Sequence, residues 1–169
     1  MPVIDLTTII SAPVERIFDL ARSIDLHVAS TAHTGERAVG GVTSGLLGLG
    51  DEVTWRGKHF GVWQHLTSRI TVYDRPRHFR DSMIRGAFRR FDHDHYFAPT
   101  DSSNAQTRMR DVFDFTSPLG PLGLLADRFF LIRHMHLLLL QRNQIIRETA
   151  ETERWKMYLY SGQPNGVKR

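Results

Sequence analysis

The chain has 169 residues, with 22 Lys+Arg against 18 Asp+Glu and no cysteine. One domain is expected at this length, and the absence of cysteine excludes a disulfide framework, thiolate metal ligands and a cysteine nucleophile. The net charge of +4 is diffuse and almost all arginine, since Lys58, Lys156 and Lys168 are the only lysines. A nucleic-acid binder presents a concentrated basic stripe, so no nucleic-acid partner is expected. The first residues lack a basic region followed by an apolar run, so no secretory signal is read there. No stretch approaches the roughly 18 apolar residues of a membrane span. These features predict a soluble, cytoplasmic protein.

Val3–Ile10 is rich in β-branched residues and reads as a first strand. Ser11-Ala12-Pro13-Val14-Glu15 opens a helix: Ser11 can cap, Pro13 suits the first turn, and Glu15 lies near the positive end. Val14, Ile17, Phe18 and Ala21 then recur at helical spacing. A second short helix is expected around Ser23–Ser30. From about residue 34 strands alternate with turn signals, among them Gly40-Gly41 and the Gly45–Gly50 run. Val53 and Trp55 lead one strand, and Phe60–Tyr73 follows after Gly57. Arg75-Pro76-Arg77 turns into His78–Ile84. A loop around Gly86 leads to Phe91–Phe97, and Pro99–Asn104 turns into Thr107–Phe115. After Pro118 a helical pattern runs to about Tyr160, a single helix of roughly 30–40 residues and about 45–60 Å. Its buried face is expected to carry Leu125, Phe129, Ile132, His136, Leu139, Asn143 and Ile146. Residues 1–160 thus form one domain, and the polar stretch 161–169 is expected to be a disordered tail. The layout is α+β: about seven antiparallel strands in a curved sheet, two short helices after the first strand, and a long C-terminal helix.

The segments Ser11–Phe18, Thr67-Ser68-Arg69-Ile70 running to Pro76 and Phe79, and Pro118–Arg154 together resemble the helix-grip superfamily. That superfamily comprises START domains, pollen-allergen-like proteins and polyketide cyclase/dehydrase proteins (SRPBCC). The Gly86…His93-Asp94-His95…Asp111…Pro118 series most resembles a ligand-binding branch of it. The resemblance covers nearly the whole chain. It implies a sheet gripping the C-terminal helix, with lipids, hormones or polyketides bound in the cavity between them. Fold alone does not give function.

One constellation could carry chemistry. In Phe91–Phe97 the strand period puts Phe91, His93, His95 and Phe97 on one face, with Asp92 and Asp94 opposite. The next strand alternates Thr107, Met109, Asp111, Phe113 and Phe115, so Asp111 is a carboxylate on an apolar face. The strand before has Phe79, Asp81 and Met83 on one face. A turn centred near Ser102 pairs Phe97 with Thr107 and His93 with Asp111. A loop centred near Ala87 pairs Met83 with Phe91 and Asp81 with His93. Opposed side chains lie about 4.5–5.5 Å apart at Cβ, which predicts a row Asp81–His93–Asp111 across the cavity floor, with His95 one step along.

Three readings of this row are open. The groups can satisfy one another, as buried polar groups must, and form a polar floor that orients a ligand. They can perform acid–base catalysis, His93 or His95 moving a proton while Asp111 or Asp81 fixes the imidazole tautomer; His93 with Asp111 is then the catalytic pair. Two histidines and two carboxylates also suit zinc or iron, but a lone His-x-His on a strand is a sparse ligand set. No metal and no cofactor is expected. A small hydrophobic ligand is, and its contacts extend the row to Trp55, Phe79, Met83, Phe91, Phe97, Met109 and Phe113, and on the helix to Phe129 and His136. Trp63 could face either way. The Gly45–Gly50 run lacks the lysine and Ser/Thr of a phosphate loop, and no Gly-x-Ser-x-Gly elbow occurs. Arg85, Arg89 and Arg90 are expected beside the Pro118–Leu125 loop, a portal with at most transient membrane contact.

Overall fold

A computed structural model of the protein describes residues 2–116 and 130–160. Seven strands, β1 (Val3–Ile10), β2 (Arg37–Gly41), β3 (Glu52–His59), β4 (Val62–Asp74), β5 (His78–Arg85), β6 (Arg90–Pro99) and β7 (Thr107–Thr116), form one sheet. Its order is β1-β7-β6-β5-β4-β3-β2, every pairing antiparallel. β1 and β2 therefore lie at opposite edges. The chain between them forms α1 (Val14–Ala21), α2 (Ile24–Ser30) and a 3-10 turn at Ala32–Thr34. Register shifts between Ala38 and Gly40, Thr67 and Ser68, and Ile70 and Val72 interrupt the ladders. Such bulges bend a sheet, and this one curves around α3 (Ile132–Ala150), the C-terminal helix. The fold is the helix-grip α+β fold.

β7 shows the physics in its burial, with Thr107, Met109, Asp111, Phe113 and Phe115 buried and the residues between them facing out. Phe18 of α1 is fully buried and meets Tyr73, Phe79 and Phe97 edge-on, ring centroids 5.3–5.5 Å apart. Rings prefer this arrangement, and it fixes α1 against β4, β5 and β6. α3 adds Ile146 and Ala150 to that core and Leu139 to a second one with Ile4, Phe91, Phe113 and Phe115. No helix among the described residues is long and apolar enough to cross a membrane.

Four local expectations are corrected. Ser11 does not cap α1; its N–H donates to Glu151 Oε1. The first-turn N–H of Val14 instead donates to Asn104 Oδ1 at 3.0 Å, and Asn104 Nδ2 donates to Glu15 Oε2. The cap thus comes from the β6–β7 turn. Gly57 does not divide two strands, for β3 runs on to His59. The break is Phe60-Gly61, both with positive φ (51° and 80°), the pattern of a tight two-residue hairpin.

The third correction is register: Phe97 pairs with Met109 and His95 with Asp111, a shift of two residues from the expected pairing. A shift of two keeps every side chain on its face. Last, the C-terminal helix is not continuous to Tyr160. Arg16 Nη1 donates to the Ala150 carbonyl at 3.0 Å, Thr152 Oγ1 donates to the Glu148 carbonyl, and α4 (Trp155–Leu159) begins after the turn. Hydroxyls that bond back to the helix compete with its own ladder. The portion of the expected helix before residue 130, with Leu125 and Phe129, lies outside the described residues.

Candidate functional site

Between the sheet, α2 and α3 lies a cavity of about 1200 Å³. Its apolar wall includes Trp55, Leu66, Ile70, Phe79, Phe91, Phe113, Met135, Leu138 and Leu139. Strand alternation puts the rings there, and helical spacing supplies the residues of α3. Two polar clusters interrupt this wall.

The first is built on Asp111, which has no exposed surface. His95 Nδ1 donates to its Oδ1 at 2.6 Å, Asn143 Nδ2 to its Oδ2 at 2.7 Å, and Arg142 Nη1 reaches Oδ1 at 3.4 Å. Arg142 also donates through Nη2 to the Ala21 carbonyl at 2.7 Å. His93 Nε2 lies 3.2 Å from Asp111 Oδ1 without hydrogen-bond alignment, and its ring packs on His95 with centroids 3.9 Å apart. Burial alone would push the Asp111 carboxyl up. The imidazoles of His93 and His95 and the Arg142 charge outweigh it and hold the group well below the usual carboxylate range. Burial and the neighbouring His93 press His95 down to about 3, so its imidazole is neutral near pH 7.

Asp81 faces His93 across β5 and β6 and lines the cavity. One of its oxygens is sealed without a partner, and burial pushes its carboxyl up. The ligand atoms of His93, His95 and Asp111 lie within 4.8 Å of one another, as a metal would require. Yet the positive charge beside Asp111 is already supplied by Arg142 and its second oxygen is taken by Asn143, so the donor set fits a metal poorly.

The second cluster joins α2, the chain before β2, the β3–β4 hairpin and α3. His27 Nε2 lies 2.5 Å from Glu36 Oε1, and His59 Nε2 lies 3.6 Å from Glu36 Oε2. His59 Nδ1 is 3.2 Å from His134 Nε2. Burial would raise the Glu36 carboxyl, but the two imidazoles lower it to about 2. Burial and the nearby His59 and His33 lower His134. All four side chains line the cavity.

Of the residues singled out from sequence, Trp55, Phe79, Asp81, Phe91, His93, His95 and Phe113 line the cavity. Phe97 and Met109 are packed in the core around Phe18, and Asp111 stands behind the histidines, so these three are not wall residues. Met83 packs on the second core rather than the cavity, because the β5–β6 ladder ends at Ser82–Asp92 before the expected Met83–Phe91 pair. On α3 it is His134, not His136, that reaches the wall. Trp63 lies on the outer surface with the Arg56 guanidinium 4.1 Å above its ring. The expected contact of Phe129 and the expected portal loop lie outside the described residues.

Sequence reasoning placed Asn143 on the buried face of the helix but not at the site, and missed Arg142, His27, Glu36, His59 and His134. Two had a signal: the β3 alternation from Trp55 reaches His59, and Arg142 is a charge beside the helix's apolar stripe. Glu36 stands in the irregular chain just before β2 and had none.

No family model matches the chain, and no curated protein matches it. Solved structures do. TTHA0849 from Thermus thermophilus is 17% identical with a TM-score of 0.66, covering 88% of this chain and 99% of that one. The Zhui aromatase/cyclase from Streptomyces sp. R1128 is 13% identical with a TM-score of 0.71, covering 96% and 99%. A START superfamily protein from Mycobacterium smegmatis is 9% identical with a TM-score of 0.61, covering 85% and 96%. The shared feature is the fold.

Proposed function

We propose that the protein binds an apolar or aromatic small molecule in the cavity under α3, for transport or sequestration. The carrying observation is a space of about 1200 Å³ whose wall is largely apolar and aromatic, with polar groups set into it. That combination is the usual make-up of a ligand pocket. Trp55, Phe79, Phe91 and Phe113 supply the contact area, and Asp81 and His93 orient the ligand. Native mass spectrometry of the protein as purified, with organic extraction, tests this reading. A retained hydrophobe supports it; failure of the protein to take up any of a panel of hydrophobic dyes counts against it.

A second reading, favoured by the overlay on an aromatase/cyclase over 96% of the chain, is a cyclase or dehydrase. His93 would move the proton, with the Asp111 carboxylate 3.2 Å from its Nε2 stabilising the imidazolium. On that reading His93→Ala abolishes turnover and leaves ligand affinity nearly unchanged. Equal loss of both would leave His93 a binding residue.

A further inference from the structure

Two of the carboxylates beside the cavity, Asp111 and Glu36, are neutralised in different ways. Asp111 has a permanent cation, Arg142, and a fixed amide donor, Asn143. Glu36, among the described residues, has only imidazoles: His27 on one oxygen and His59 on the other. Its charge can therefore be balanced only by a proton that arrives on a neighbour. Because Glu36 stays ionised down to about 2, the hydrogen in the His27 contact resides on Nε2. That leaves the lone pair of Nδ1 available. The His27 ring rests against Trp55 with centroids 4.2 Å apart, in the cavity wall. From Glu36 a second arm runs through His59 to His134. Asp81 lies within electrostatic reach of His27, and His33 within reach of His134.

We infer that Glu36 and its imidazole arms form a proton-accepting site for a weakly acidic hydroxyl, of the phenol class, carried by the cavity's ligand. In the step, the ligand's O–H bond breaks and its electron pair stays on oxygen. The proton forms an N–H bond at His27 Nδ1. The imidazolium so formed is held by the Glu36 carboxylate, and no other reactant is consumed. This site is separate from the His93–Asp111 pair, and the inference rests on the cavity being the ligand site.

The test uses 6-cyano-2-naphthol, whose own pKa lies well above that of an imidazole and whose neutral and ionised forms absorb at different wavelengths, and its methyl ether, which cannot ionise. Both are titrated into the wild-type protein, Glu36→Gln and His27→Asn, about one pH unit below the probe's own pKa. The wild type is expected to bind both probes and to show the ionised band of the naphthol. Both variants should bind the two probes with the ionised band lost. Circular dichroism establishes which variants are folded; if Glu36→Gln is not, His27→Asn carries the comparison. A naphthol bound in its neutral form to the wild type, or an ionised band that persists in a folded variant, overturns the inference. Failure of both probes to bind the wild type overturns the cavity reading beneath it.

Discussion

At Asp111 two oxygens with no exposed surface collect His95, Asn143 and Arg142. Removing one partner of a buried ion pair leaves the other uncompensated, at a cost of about 3–5 kcal/mol. Arg142→Met should therefore lower the unfolding free energy by that amount in urea titration. The double variant Arg142→Met/Asp111→Leu should recover only part of it, because no buried charge then remains but the buried donors of His95 and Asn143 lose their acceptor. Asn143→Ala, which removes one donor, should cost about 1–3 kcal/mol. His95 gives a pH signature of known sign. Its folded value is about 3 against an ordinary 6.5, so below pH 6.5 the unfolded chain takes up a proton that the folded protein refuses. This contribution to stability is whole above pH 6.5 and is lost as pH falls towards 3. Urea midpoints measured between pH 7 and pH 4.5 should fall, and His95→Gln should make the decline shallower. The Glu36 contribution is lost in a lower window, between its ordinary 4.5 and about 2.

Among the elements, α1 depends on a cap from a turn that is remote in sequence. Asn104→Gly keeps the positive φ of 51° and removes the acceptor of the Val14 N–H, a loss of about 0.5–2 kcal/mol. Asn104→Ala should cost roughly 1 kcal/mol more, because a Cβ disfavours the left-handed backbone; thermal unfolding of both variants separates the terms. The same distant partnership explains what was legible in the sequence. β1, β5, β6 and β7 could be read because their pattern is local and repeats every two residues, and with them the face carrying Asp81, His93, His95 and Asp111. The pairing of β6 with β7 could not be centred, since turn chemistry around Asp101–Asn104 allows registers two residues apart that bury the same face. The end of α3 at Ala150 has no glycine or proline to announce it. It is set by Arg16, which comes from another helix. The His27–Glu36–His59–His134 cluster joins four separate segments, and only the curved sheet brings them together.

For the molecule as a whole, a cavity of about 1200 Å³ is a site where bound ligand adds to stability. A ligand at a hundred times its dissociation constant adds about 2.7 kcal/mol, so a true ligand should raise the thermal midpoint in proportion to its logarithmic concentration. Leu138→Trp, which fills space from α3, should abolish that rise. The sheet order has a consequence for the chain in time. Among the described strands β1 pairs only with β7, Val3 lying opposite Asp114 and Ile10 opposite Thr107. On a ribosome adding about 5–20 residues per second, the first strand emerges roughly 5–20 seconds before its partner exists. Throughout that interval Ile4 and Ile10, both buried in the finished fold, face water or a chaperone. Nascent chains arrested before Thr107 should therefore crosslink to a holdase through this first segment, and chains arrested well beyond Thr116 should release it.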